Sequence, residues 1–224
     1  LSMKPSVMED LHPGFGRNLT RYYEHVRRND LYLCFAVVPP TGLRHQQIFP
    51  GQERDDPSLQ VIAEDDNGVT LSGMKMLATG GVYADEVWIG NLTPIDDKFP
   101  QQSITCALPL NAPGVTLWSR EPYARSVRHE ADYPLSARFD ETDCVLVCDR
   151  VKVPWERVFL HNNGTMSRRI YTDTASNCYA NHQSNVRFWA KMGLLTGLAS
   201  RLCQANGIDR LPPVRELLGR FAAL

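Results

Sequence analysis

Apolar residues recur at helical spacing from Phe15 to Arg28, where Phe15, Leu19, Tyr22, Tyr23 and Val26 stand among Arg and Glu. Asn29-Asp30 closes that segment. Leu31 to Val38 is a continuous apolar run of strand length, stopped by Pro39-Pro40. A polar loop follows from Thr41 to Pro57. From Leu59 to about Phe159 the pattern is almost wholly that of strands: short β-branched runs are punctuated by Asp65-Asp66-Asn67-Gly68, Gly80-Gly81, Thr93-Pro94 and Ala112-Pro113-Gly114. Gln60–Glu64 and Val69–Gly73 flank the first of these turns as the arms of a hairpin do. Short strands at such spacing predict an antiparallel sandwich or barrel. From Thr174 to about Ala205 the period changes, and Val186, Trp189, Ala190, Leu194, Gly197, Leu198 and Leu202 recur at three and four. That spacing predicts one helix of roughly thirty residues, far beyond average length and suited to a bundle. Gly207 breaks it and Pro212-Pro213 opens another. The predicted plan is α+β: a helical region over 1–30, a β domain over 31–160, and the start of a helical bundle over 161–224. A long helix cannot bury its apolar stripe alone, so further helices or a second chain are expected against it.

Composition narrows the function classes. With 43% hydrophobic and 22% charged residues, the 224-residue chain has ample material for a core and no signature of disorder. Twenty-four basic residues against 25 acidic ones leave a formal charge of −1, which excludes the electrostatic footprint of a nucleic-acid or anionic-membrane partner. No apolar run approaches the ~20 residues of a membrane span, and Leu1-Ser2-Met3-Lys4-Pro5 lacks a leader's apolar stretch. None of the six cysteines forms a C-x-x-C pair, so no metal or cluster site is predicted. Cys144 and Cys148 fall on one face of a strand, too far apart to bridge, and reduced thiols in a cytoplasmic protein are expected. The last residues, Phe221-Ala222-Ala223-Leu224, still follow a helical pattern, and the chain reads as a piece of something longer.

Three strings carry a resemblance. Ser72-Gly73-Met74-Lys75-Met76-Leu77-Ala78-Thr79-Gly80-Gly81-Val82-Tyr83-Ala84-Asp85 is similar to a segment of acyl-CoA dehydrogenase-like flavoproteins. Tyr133-Pro134-Leu135-Ser136-Ala137-Arg138-Phe139-Asp140-Glu141-Thr142-Asp143, with Val151-Lys152-Val153-Pro154-Trp155-Glu156-Arg157-Val158, resembles the 4-hydroxyphenylacetate 3-monooxygenase oxygenase family, which includes chlorophenol and nitrophenol monooxygenases. The resemblance runs from about Phe15 to Arg201. It implies an acyl-CoA dehydrogenase-like fold in which the central β domain meets an incomplete C-terminal bundle, and it implies that the family's N-terminal helical domain is missing. It also implies the chemistry: hydroxylation of a phenolic small molecule through a flavin hydroperoxide. FAD would arrive as FADH2 from a separate flavin reductase, dioxygen would be the co-substrate, and the protein would be a dimer or tetramer. No G-x-G-x-x-G follows a strand and opens a helix, so no NAD site is predicted.

The same resemblance implies site residues. Thr79, beside Ala78 and Gly80, stands where the superfamily holds the flavin ring near N5, and Arg187 is a further cofactor contact. His182 stands where halophenol and nitrophenol enzymes place a histidine, and its imidazole could take the phenol proton. Phe35 replaces the histidine that contacts the phenol in 4-hydroxyphenylacetate hydroxylases; it can stack on a ring but exchanges no proton. Arg125 and Ser126 lie in the segment Ser119 to Pro134, which corresponds to a mobile, basic loop closing over substrate. Asp140, Glu141 and Asp143 with Arg138 read as structural ion pairs and turn caps, Trp155 as a packing anchor, and Lys75 as facing solvent or a phosphate. Two alternatives stay open: an acyl-CoA dehydrogenase-like oxidase, and a folded module that is catalytically inactive.

Overall fold

The structure, a computed structural model, describes residues 4–40, 56–92, 95–96, 98–125, 127–129 and 131–223. It divides into two compact units, Leu1–Thr174 and Ala175–Leu224.

The first unit opens with helix α1 (Pro5–Leu11) and helix α2 (Phe15–Asn29). The Glu9 carboxylate accepts the backbone N–H groups of Gly14 (2.9 Å) and Gly16 (3.0 Å), satisfying donors that the start of α2 would leave orphaned. A Cβ on Gly16 would sit 2.2 Å from the Pro5 carbonyl oxygen, so only glycine lets the helices approach this closely. α2 buries Phe15, Gly16, Leu19 and Tyr22, the stripe that its apolar period marks out.

Eight strands follow: β1 (Leu33–Ala36), β2 (Gln60–Asp65), β3 (Gly68–Lys75), β4 (Glu86–Ile89), β5 (Ile104–Pro109), β6 (Val115–Ser119), β7 (Cys144–Pro154) and β8 (Val158–His161). They form two four-stranded sheets, ordered β1-β4-β5-β8 and β2-β3-β7-β6. Both sheets feed one core cluster, in which Ile89, Ile104, Leu108 and Phe159 of the first meet Val69, Leu71, Leu146 and Val153 of the second. The β2–β3 hairpin turns where Asp65 to Gly68 predicts it. Among the described strands there is no closed barrel, so of the two expected architectures the open, two-sheet one is present. The strand pairs are antiparallel as expected, with one exception among them: β1 pairs with β4 in parallel. After β1 the chain crosses to the second sheet, makes β2 and β3, and re-enters beside β1 running the same way, as a crossover must.

Helix α3 (Gly164–Thr172) closes the unit, its first turn capped by Asn163 Oδ1, which accepts the Met166 N–H at 3.0 Å. The second unit is a helical hairpin of α4 (Ser176–Ala205) and α5 (Pro212–Ala222). α4 is thirty residues long and Met192 is its one buried residue. Trp189, Tyr179 and Leu198 stand exposed along it. Among the described residues no helix is long and apolar enough to cross a membrane.

Candidate functional site

Beyond Lys75, the end of β3, the chain stays tied to its neighbours without continuing the strand. The Met76 N–H donates to the Val38 carbonyl (2.8 Å), which joins this segment to the end of β1. Leu77 then adopts φ +61°, a left-handed conformation that a branched side chain takes only when its surroundings enforce it, and its side chain is exposed. The Ala78 N–H donates to the Cys144 carbonyl (2.9 Å) and the Gly80 N–H to the Thr142 carbonyl (3.0 Å). Ala78 and Gly80 are buried and Thr79 between them is exposed. The Thr79 hydroxyl donates to Asp143 Oδ1 at 2.5 Å.

Gly80 is also left-handed, with φ +70°, and a Cβ there would stand 2.6 Å from the Tyr32 hydroxyl. The Tyr32 ring therefore lies against the Gly80 backbone. Its main chain is fixed by Asp85, whose Oδ2 accepts the Tyr32 N–H (2.8 Å) and whose own N–H donates to the Tyr32 carbonyl (2.9 Å). Phe35, on β1, is 65% exposed. Leu77, two positions before Thr79, and Tyr32, against Gly80, leave apolar surface open to solvent beside the Thr79 hydroxyl, a composition suited to the face of a planar, mostly apolar ring. These residues fit an isoalloxazine ring.

The loop after β6 is held by Arg120. Its guanidinium grips Asp140 (2.5 and 3.2 Å) and lies over the Tyr123 ring, 4.6 Å from the centroid. The hydrogen bond from Arg120 holds the Asp140 carboxyl below its ordinary pKa. Asp140 is thus a structural ion-pair member as expected, but its partner is Arg120, twenty residues before it in the chain. Arg125 pairs with Glu121 at 3.7 Å across an exposed 3₁₀ turn. Ser126 lies outside the described residues.

His182 and Arg187 sit on α4, in the second unit, and both are exposed. Five residues apart, they are separated by about 140° around the helix axis, so they do not form one polar face. The structure thus brings Ala78, Thr79 and Gly80 together with Thr142 to Cys144, and sets Phe35 on the strand whose continuation bonds Met76. The expectation for Lys75 is overturned. It is 2% exposed, and its ammonium donates to Asn91 Oδ1 at 2.6 Å inside the core. Tyr32 contributes here without having been named, and Asp143, expected as an ion-pair or turn-cap residue, accepts the Thr79 hydroxyl. The signal for Asp143 was pairing register, which no local string carries.

Of two clefts on the first unit, one lies apart from these residues and the other begins beside Gly80 and includes Asp85. The larger, about 460 Å³, is lined by His12, Trp155 and His161. The other, about 370 Å³, runs along Gly81, Ala84 and Leu117. Trp155 caps the first as a packing anchor, its Nε1 donating to the Asp65 carbonyl at 2.8 Å.

Comparison with known proteins adds the following. The family described as "4-hydroxyphenylacetate 3-hydroxylase N terminal" matches residues 1–160, and "4-hydroxyphenylacetate 3-hydroxylase C terminal" matches residues 167–224. The 4-hydroxyphenylacetate 3-monooxygenase oxygenase component of Geobacillus sp. (strain PA-9) is 30% identical over 91% of this chain and 41% of its own length. The 4-nitrophenol 2-monooxygenase oxygenase component of Rhodococcus sp. is 35% identical over 70% of this chain and 30% of its own. A crystal structure of the oxygenase component HpaB of 4-hydroxyphenylacetate 3-monooxygenase, complexed with FAD and 4-hydroxyphenylacetate, superposes on 99% of this chain and 46% of that one. Its TM-score is 0.82 at 28% identity. A steroid acyl-CoA dehydrogenase variant shares the fold more distantly, with a TM-score of 0.52 at 19% identity over 87% of this chain and 43% of that one. The chain spans less than half the length of the curated relatives it matches.

Proposed function

Because the chain belongs to the 4-hydroxyphenylacetate 3-hydroxylase family, we propose that it is the central part of the oxygenase component of a two-component, FADH2-dependent monooxygenase that hydroxylates a phenolic substrate. The observation that carries this reading is the superposition of 99% of the chain on an oxygenase complexed with FAD and a phenol. When bound in its reduced form, FAD supplies the activation of dioxygen.

The chain's own residues orient, exclude water and handle a proton. Thr79, with the backbone of Ala78 and Gly80, meets the ring; Arg187 offers a cation to the cofactor's phosphates. Phe35 stacks on the substrate ring and, lacking any proton to exchange, leaves the phenol proton to another group. His182 is that group, taking the proton so that the ring becomes more electron-rich. Arg125 and Ser126 belong to the segment that covers the substrate. A separate flavin reductase as electron donor, a dimer or tetramer as the working form, and a cytoplasmic location complete the reading. The six unpaired cysteines, four of them buried, are in keeping with a reducing compartment.

The test supplies the full-length protein of which this chain is the central part with chemically reduced FAD, oxygen and a panel of phenols, including 4-hydroxyphenylacetate and 4-nitrophenol, and analyses products by mass spectrometry. A product heavier by one oxygen atom is expected with at least one phenol. Reduced FAD consumed with no hydroxylated product from any of them would defeat the proposal.

A further inference from the structure

The larger cleft lies where three parts of the first unit meet: the junction of α1 and α2, the last residues of β2, and the exit from β8. Phe15 and Leu160, 5% and 1% exposed, line it as buried apolar surface. Three more rings stand beside them. His12 stacks on Phe15 with the centroids 4.6 Å apart, and the Trp155 ring lies 5.8 Å from that of His161. These rings are held in place. His12 Nδ1 donates to the Pro13 carbonyl at 2.9 Å. Trp155 is tied at its indole to the Asp65 carbonyl (2.8 Å) and at its own carbonyl to the Asn18 side-chain amide (2.7 Å). Glu64 is the one carboxylate of the lining, and no lysine or arginine is among the described residues that form it. Its Oε2 accepts the His161 Nε2–H at 2.8 Å, yet its side chain is 61% exposed. Lys152, the cation of this corner, is paired instead with Asp65 at 2.7 Å.

We propose that this cleft is a second binding site, distinct from the flavin and phenol sites above, and that it takes a small organic cation with an alkylated ammonium head. Ring faces attract a cation through their quadrupole, and tryptophan does so best. A carboxylate beside them, with no competing cation in the lining, adds Coulomb attraction of the same sign. Alkyl groups on the nitrogen present the charge behind apolar surface, which matches the Phe15 and Leu160 floor. An anion meets the reverse: Glu64 repels it, and no arginine or lysine of the lining answers its charge. A neutral compound of the same shape gains the apolar contact and neither electrostatic contribution. The volume, about 460 Å³, is in the ordinary range of small-molecule sites. Because the bonds to Pro13, Asp65 and Asn18 already fix the rings, little further ordering is needed when a ligand enters.

Isothermal titration calorimetry on the full-length protein compares choline with 3,3-dimethyl-1-butanol, which has the same shape without the charge. Choline is expected to bind about tenfold more tightly than the alcohol. Glu64→Gln keeps an acceptor for His161 and removes the negative charge. It is expected to weaken choline binding by about tenfold and to leave the alcohol unaffected. Trp155→Leu keeps apolar bulk without a ring face and is expected to weaken choline by a similar factor. A wild type that binds no choline overturns the inference, and so does equal affinity for the two compounds. Choline binding that neither variant weakens would put the cation elsewhere and overturn it as well. Should Trp155→Leu fail to fold by circular dichroism, Glu64→Gln, a change at an exposed side chain, decides alone. Phenol hydroxylation by a protein that ignores choline would leave the proposed function standing, so the two readings fail separately.

Discussion

Lys75 shows how strongly one position can be placed by its strand rather than by its chemistry. It follows Val69, Leu71 and Gly73 at period two along β3, and Val69 and Leu71 are fully buried. The alternation therefore sends Lys75 inward, although a lysine considered alone belongs outside. At this position the strand period outweighs the residue type. Its ammonium has Asn91 as a neutral partner, and among the described residues no carboxylate forms an ion pair with it. Burial lowers its pKa to about 8 from the usual 10.5, with a small opposing pull from Cys106. Below that value the amine is protonated in both states, and the folded state carries the full penalty of a buried charge. Between about 8 and 10.5 the folded protein releases its proton before the unfolded chain does, so the Lys75 contribution to stability rises with pH. The thiols of Cys34 and Cys148, pushed up by burial to about 11 and 12, act in the opposite sense. A comparison with Lys75→Met isolates the lysine. In urea unfolding the stability difference between the two proteins should move in the wild type's favour by about 1.5 kcal/mol from pH 8 to 9.5, the slope approaching about 1.4 kcal/mol per pH unit once the folded-state amine is deprotonated. Parallel curves for the two proteins would contradict it.

At the scale of elements, Glu86 is where a helix, a strand and a turn are fastened together. It opens β4, is 5% exposed, and accepts both arms of the Arg157 guanidinium (2.7 and 3.1 Å) and the Tyr22 hydroxyl of α2 (2.9 Å). His25, one turn further along α2, approaches at 3.4 Å. Burial pushes the Glu86 carboxyl pKa up, but Arg157 and Tyr22 outweigh it and the net value is lowered. A lowered folded value means the cluster stabilises the protein above the normal carboxylate range and loses that contribution as pH falls through the folded pKa. Glu86→Gln leaves Arg157 without its counter-charge, a change that costs about 3–5 kcal/mol when the pair is buried. The expected result is a lower urea midpoint with an unchanged slope; a loss under about 1 kcal/mol would mean the pair behaves as a surface one. Elements defined by their own period, α2, the β2–β3 hairpin and α4, were legible in the sequence within a few residues. The parallel β1–β4 pair and the Arg120–Asp140 grip were not. Which strand lies beside which depends on a crossover through a second sheet, and nothing local to Leu33–Ala36 encodes it. The candidate site divides the same way: Thr79 could be named from its string, whereas its partner Asp143 is 64 residues away and set by register.

For the whole molecule the contrast between the two units governs dynamics. Leu1–Thr174 holds almost all the buried apolar side chains, while the second unit contributes Met192. Few buried contacts imply low local stability. Amide hydrogen exchange is therefore expected to be at least about a hundredfold faster in α4 and α5 than in β3 and β7, a gap of about 3 kcal/mol in opening free energy. Equal protection would mean that the exposed Trp189, Tyr179 and Leu198 are covered in solution. The fastening of α2 has a consequence for biosynthesis. Asn18 donates both hydrogens of its side-chain amide to the carbonyls of Trp155 (2.7 Å) and Val158 (3.1 Å), 137 and 140 positions further along. These residues leave the ribosome long after α2 does. Until then the nascent helix has only α1 and, once β4 is made, the Glu86 contact of Tyr22 to seat it, and part of its apolar stripe must wait, greasy side outward, through the translation of nearly the entire β domain. Holdase chaperones act on just such stretches, which makes this helix the segment where they would engage the growing polypeptide.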